Sequence, residues 1–148
     1  MSNELADFAD YIFDRLTHTI EGISEEELNW RPVDESNNIH WILTHTTRIA
    51  YLLIPQVLSR THNPTGWDDD YEQQKHTLED LRKDLLKARK PVVNGIRDLD
   101  EKQLEEKINI WGGERPLKEP IFALLGELLH HNGQMAMLRG IYKRTNSP

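Results

Sequence analysis

Leu124-Leu125-Gly126-Glu127-Leu128-Leu129-His130-His131-Asn132-Gly133-Gln134-Met135-Ala136-Met137-Leu138 carries both the fold and the chemistry of this chain in one helical repeat. Leu124, Leu128, Met135 and Leu138, continued by Tyr142, return at helical spacing and define the inner face of one long helix. The spacing predicts that this helix starts around Pro116–Pro120 and runs to about Lys143, since proline is tolerated in a first turn where its missing N–H has no helical partner. Polar residues interrupt the stripe. Glu127 and His131 lie about 40° apart around the helix, with Gln134 about 20° to the other side of Glu127.

Three more stretches upstream have the same period. Leu5, Phe8, Ala9, Ile12, Phe13, Leu16 and Ile20 place a helix from about Ser2 to Gly22. Ser24, followed three residues later by Glu27, reads as a capping box for a short helical turn ended by Pro32. A second long helix begins near Ser36–Asn38 and runs to about Ser59 on Ile39, Ile42, Thr46, Ile49, Ala50 and Leu53, with Pro55 expected to kink it or end its regular part. A third spans about Thr77 to Leu99 through Leu78, Leu81, Leu85, Ala88, Val92, Ile96 and Leu99, with Pro91 expected to bend it. The segment from about Arg60 to Gln74 is long for a connection in a small domain, and such segments are more often lids, binding loops or disorder than idle links. Lys107–Trp111 alternates as a brief extended piece before a Gly112-Gly113 turn. The expectation is an all-α protein: a four-helix bundle in one domain, residues 1–148, with long connections between helices 2 and 3 and between helices 3 and 4.

Composition narrows the function. The 148 residues hold 18 Lys and Arg against 25 Asp and Glu, a net charge of −7, a poor balance for gripping nucleic-acid phosphates. The absence of cysteine excludes disulfides, thiolate metal sites and a cysteine nucleophile. No apolar run approaches the roughly 18–20 residues of a membrane span, and the acidic start, Met1-Ser-Asn-Glu-Leu-Ala-Asp7, lacks the form of a signal peptide. No nucleic acid, no membrane and a cytoplasmic location are therefore expected.

Seven histidines remain to be explained. His45 shares a face with Ile42, Ile49 and Leu52, so it is expected to point inward, as are Glu127 and His131. Ionisable groups on core-facing positions need partners. One solution is a divalent metal: imidazole and carboxylate suit Zn, Ni, Fe or Mn, and two ligands one turn apart can share an ion with a third from a facing helix. The other is a hydrogen-bonded Glu–His pair in a polar pocket, with His45 donating to a carbonyl. Glu-x-x-x-His does not by itself decide between them.

Two segments together resemble the DinB/YfiT-like family. Asn38-Ile-His-Trp41-Ile-Leu-Thr-His45 is similar to its second-helix signature, and Glu127-Leu-Leu-His130-His131-Asn-Gly133-Gln134, followed by Leu138-Arg139, to its fourth, where the family shows His-x-x-x-His-x-Gly-Gln. Glu27-Leu28-Asn29-Trp30-Arg31-Pro32 also resembles the family's segment before the second helix. The resemblance implies an up-down-down-up bundle, often a homodimer, with a metal held by three histidines. By position His45 and His131 match two of these. The third falls on Glu127, a departure that makes the set two histidines and a carboxylate. His130 is the competitor if the helix is rotated; otherwise it and Gln134 belong to the pocket or its rim. The resemblance further implies a metal-dependent enzyme acting on a small-molecule substrate, a thiol-dependent S-transferase using a low-molecular-weight thiol. A metal-dependent hydrolase and a non-catalytic ligand-binding or stress-response bundle are the alternatives.

The remaining features carry smaller expectations. His40 is peripheral, and His18, His62 and His76 face solvent. Asp68-Asp69-Asp70 reads as a solvated loop lacking a full calcium-loop pattern. Trp30, Trp41, Trp67 and Trp111 line a pocket or pack structurally. Gly133 permits a close helix approach.

Overall fold

A computed structural model describes residues 1–147. In chain order the elements are α1 (Ser2–Thr19), α2 (Glu25–Asn29), α3 (Ile39–Arg48), a π-helical turn (Ile49–Leu53), α4 (Ile54–Ser59), a 3-10 turn (Tyr71–Gln73), α5 (Leu78–Arg97), α6 (Glu101–Leu104), β1 (Lys107–Ile110), β2 (Gly113–Pro116) and α7 (Lys118–Asn146). The protein is thus mostly helical. Helix α1 packs on α5 and α7, and α3 packs on the same two helices. Their apolar stripes bury Leu5, Ile12, Phe13 and Leu16 against Ile42, Leu43, Leu81, Leu85, Ile96, Leu124 and Leu128 in one contiguous cluster.

Local chemistry sets most boundaries. The Asn38 side chain accepts from Trp41 N–H and starts α3, and Thr77 with Asp80 forms a reciprocal capping box at α5. Ser24 caps α2 through Glu27 N–H, but the Glu27 carboxylate does not complete the expected box. It turns inward to Arg139 of α7, whose Nε and Nη2 donate to it at 2.6 and 3.0 Å. Arg139 also donates to the carbonyls of Thr19 and Glu21. One guanidinium therefore ties α7 to the end of α1 and to α2. Trp30 completes this corner, meeting Tyr142 edge-on at 5.5 Å.

Several expectations need correction. Phe8 is exposed rather than core-facing and stacks on Tyr11 at the surface. Pro55 follows the point where the regular α geometry of the second helix gives way to a π turn, in keeping with the expectation, and the chain stays helical beyond it. It sits in the first turn of α4, directly after the π turn, where the widened backbone relieves the loss of an i→i−4 donor and the clash with the preceding turn. The extended piece at Lys107 is half of an antiparallel hairpin, registering Lys107 with Pro116 and Ile110 with Gly113. Its turn is Trp111-Gly112, not Gly112-Gly113: both have positive φ, 53° and 76°, as a tight two-residue hairpin turn requires. Gly133 is not a close-approach glycine, because a Cβ built there meets nothing within 4 Å.

Candidate metal centre

Helices α3 and α7 pack against each other, and this contact brings together the two segments singled out in the sequence. His45 and His131 meet edge to face, with ring centroids 4.8 Å apart. Glu127, one turn before His131, places Oε2 3.2 Å from His131 Nε2. One donor atom from each of His45, Glu127 and His131 falls within 4.8 Å of the other two. Burial grades across the set: side-chain exposure is 9% for His131 and 52% for Glu127, and 25% for His45. Glu127 is thus not core-facing as expected but marks the open side.

The state of His131 bears on whether a metal fits. Its Nδ1 faces Gln134 Oε1 at 2.8 Å. A carbonyl oxygen only accepts, so Nδ1 carries the hydrogen and Nε2 keeps its lone pair. That Nε2 is buried and has no hydrogen-bond partner; its approach to Glu127 is close, but the two are not aligned as donor and acceptor. A buried lone pair beside a carboxylate lacks stabilisation that a cation would supply. Tetrahedral ligands about 2.1 Å from an ion stand about 3.4 Å apart, a separation that His131 and Glu127 nearly have. With two imidazoles and one carboxylate, the residues fit a borderline divalent ion.

The surroundings are asymmetric. On one side lies a groove of about 410 Å³ lined by Trp41, Ile42, His131, Gln134, Met137 and Leu138 among others. Trp41, one turn before His45, stacks on that ring at 5.4 Å and 14° and so forms a wall of both the groove and the histidine cluster. On the other side the 60–77 connection closes in. The Glu72 carboxylate hydrogen-bonds His45 Nδ1. Arg48, one turn after His45, pairs with Asp69 through Nε and Nη2 at 2.9 and 3.0 Å and approaches Glu72 at 3.7 Å. The guanidinium of Arg48 holds the Asp69 carboxyl below the ordinary aspartate range.

Other expected residues fall elsewhere. His130 is exposed, its ring 5.3 Å from that of His131, and it is not among the residues lining the groove. His76 and His62 are not simply solvent-facing: His76 donates to the Tyr71 carbonyl at 2.6 Å and His62 to that of Asn109 at 2.9 Å. His40 donates to the His76 carbonyl, so it fastens the connection to α3, while His18 is exposed. Asp69 is a structural partner of Arg48 rather than part of a solvated acidic run. Trp30 and Trp111 lie away from the site, Trp111 at the hairpin turn under Arg115. Sequence reading missed Glu72. Nothing in its spacing relates it to His45, whereas Arg48 could have been placed by its three-residue step along α3.

The family model described as the DinB superfamily matches residues 10–135. No curated protein matches the chain. Among the described residues, no helix is long and apolar enough to cross a membrane.

Proposed function

The chain belongs to the DinB superfamily, and from that premise we propose that it is a metal-dependent enzyme whose ion is held by His45, Glu127 and His131. The observation that carries this reading is the buried, unpartnered Nε2 of His131 beside Glu127 and His45. The scaffold is read as a single-domain four-helix bundle of the up-down-down-up kind over residues 1–148, Pro148 lying outside the described residues, made by α1, α3 with α4, α5 and α7. The ion is a divalent transition metal: Zn, Ni, Fe or Mn.

The activity proposed is thiol-dependent S-transfer. When bound, a divalent metal supplies the Lewis acidity that lowers the pKa of a low-molecular-weight thiol. The protein's own residues do the rest. Gln134 keeps the hydrogen on His131 Nδ1 and so keeps Nε2 available. Trp41, Ile42, Met137 and Leu138 line a groove in which the apolar part of a small-molecule electrophile can lie beside the histidines. Glu127, half exposed, leaves that side open to water, where the thiol proton can depart. The carbon–sulfur bond then forms as the leaving group departs with its bonding pair. A homodimer and a cytoplasmic location complete the proposal.

Metal analysis of protein purified without an affinity tag is the test. Near-stoichiometric metal, lost in both His45→Ala and His131→Ala, is expected; full retention in both variants removes the site. A panel of small thiols with electrophiles then tests the reaction. Turnover that needs metal but no thiol would make the protein a hydrolase, and bound metal without turnover would leave a binding protein. Sedimentation that shows only monomer across working concentrations rejects the dimer.

A further inference from the structure

We propose that Glu72, carried in by the 60–77 connection, is the positioning residue that selects the tautomer and ring orientation of His45. This inference rests on the metal-site reading for its purpose, but not for its measurement. An ionised carboxylate can only accept a hydrogen bond, so its contact with His45 Nδ1 puts the ring hydrogen on that atom. The lone pair is then on Nε2. A carboxylate behind an imidazole in this way orients a ligand and raises its basicity. Trp41 restrains the same ring by stacking on its face, so one contact sets rotation in the plane and the other sets the plane.

The connection is built to deliver that carboxylate. Glu72 lies in the 3-10 turn Tyr71–Gln73, and its neighbour Tyr71 is buried with its hydroxyl donating to Asp84 of α5 at 2.7 Å. His76 stacks on the Tyr71 ring at 4.2 Å and donates to its carbonyl. Asp69 is gripped by Arg48. Tyr71 thus fastens the turn to α5 and Asp69 fastens it to α3, where His40 also donates to the His76 carbonyl, with Arg48 lying near the Glu72 carboxylate as well. Removing the Glu72 side chain should therefore leave the turn in place while releasing the His45 ring.

The experiment is a long-range proton–nitrogen correlation spectrum of the histidine rings in metal-free protein above pH 8, on wild type, Glu72→Ala and Glu72→Gln, with His45→Gln assigning the signal. Wild type is expected to show His45 protonated at Nδ1. Glu72→Ala should shift it to the other tautomer or to a mixture, and Glu72→Gln should keep the wild-type tautomer through its carbonyl oxygen. Zinc affinity, measured by chelator competition, should fall about 10–100-fold in Glu72→Ala and less in Glu72→Gln. An unchanged His45 tautomer in Glu72→Ala overturns the proposal. So does a changed tautomer with zinc affinity within about threefold of wild type. A wild type that binds no zinc defeats the metal-site reading instead, and the spectra still decide the role of Glu72.

Discussion

Replacing Arg139 with methionine is expected to destabilise the protein by about 3–4 kcal/mol at neutral pH. The side chains of Arg139 and Glu27 are 14% and 6% exposed, so the pair is largely desolvated. Arg139 supplies both hydrogen bonds to the carboxylate and two more to the Thr19 and Glu21 carbonyls. Breaking a buried pair by deleting one partner strands the other charge, at about 3–5 kcal/mol. Urea unfolding followed by circular dichroism should show the midpoint falling by roughly 1.5–2 M for a slope near 2 kcal/mol/M. Glu27→Gln keeps the shape and an acceptor but leaves the guanidinium without its counter-charge, and should cost about 2–3 kcal/mol. Glu27→Leu combined with Arg139→Met should cost less than the sum of the single changes, with a coupling of about 2 kcal/mol or more. A loss below about 1 kcal/mol in Arg139→Met, or additivity in the cycle, would refute the reasoning that this corner is a desolvated clamp.

Three further outcomes are expected. The folded-state pKa of Asp69 lies below its unfolded value of about 3.9, so its pairing with Arg48 adds stability above that value and loses it as pH falls through the lower folded value; Asp69→Asn should be less stable than wild type at pH 6, with the gap narrowing as pH falls below about 3.9, and a gap independent of pH in denaturation curves contradicts this. Gly133→Ala meets open space and removes backbone freedom from the unfolded chain, so it should stabilise by about 0.4–1 kcal/mol, seen as a melting temperature higher by a few degrees; a decrease would show that the glycine serves another need. Glu127→His should retain metal but shift the order of preference among Zn, Ni and Mn toward the more imidazole-loving ions, as read by competitive metal loading; an unchanged order would place Glu127 outside the ligand set.

The sequence by itself determined where the long helices lie, because burial at a 3.6-residue period leaves a record in each segment separately. It also put Glu127, His131 and Gln134 on one side of their helix, since angles around one helix follow from residue spacing alone. Helix ends were legible where a capping side chain acts within three residues, as at Asn38 and Thr77. Reading failed where the deciding partner is remote. Glu27 looked like half of a capping box, but its carboxylate went to Arg139, 112 residues away. Asp69 looked solvated until packing set Arg48 against it, and Glu72 carried no signal at all for His45. Phe8 lies on the edge of its stripe, and only the placement of the neighbouring helices left it outside. The π turn before Pro55 likewise answers a backbone conflict that composition can flag but not resolve. The tertiary structure alone brought His45 to His131 and then laid the 60–77 connection beside them. Spacing fixes directions within one helix, whereas distances between helices are decided only when their faces pack.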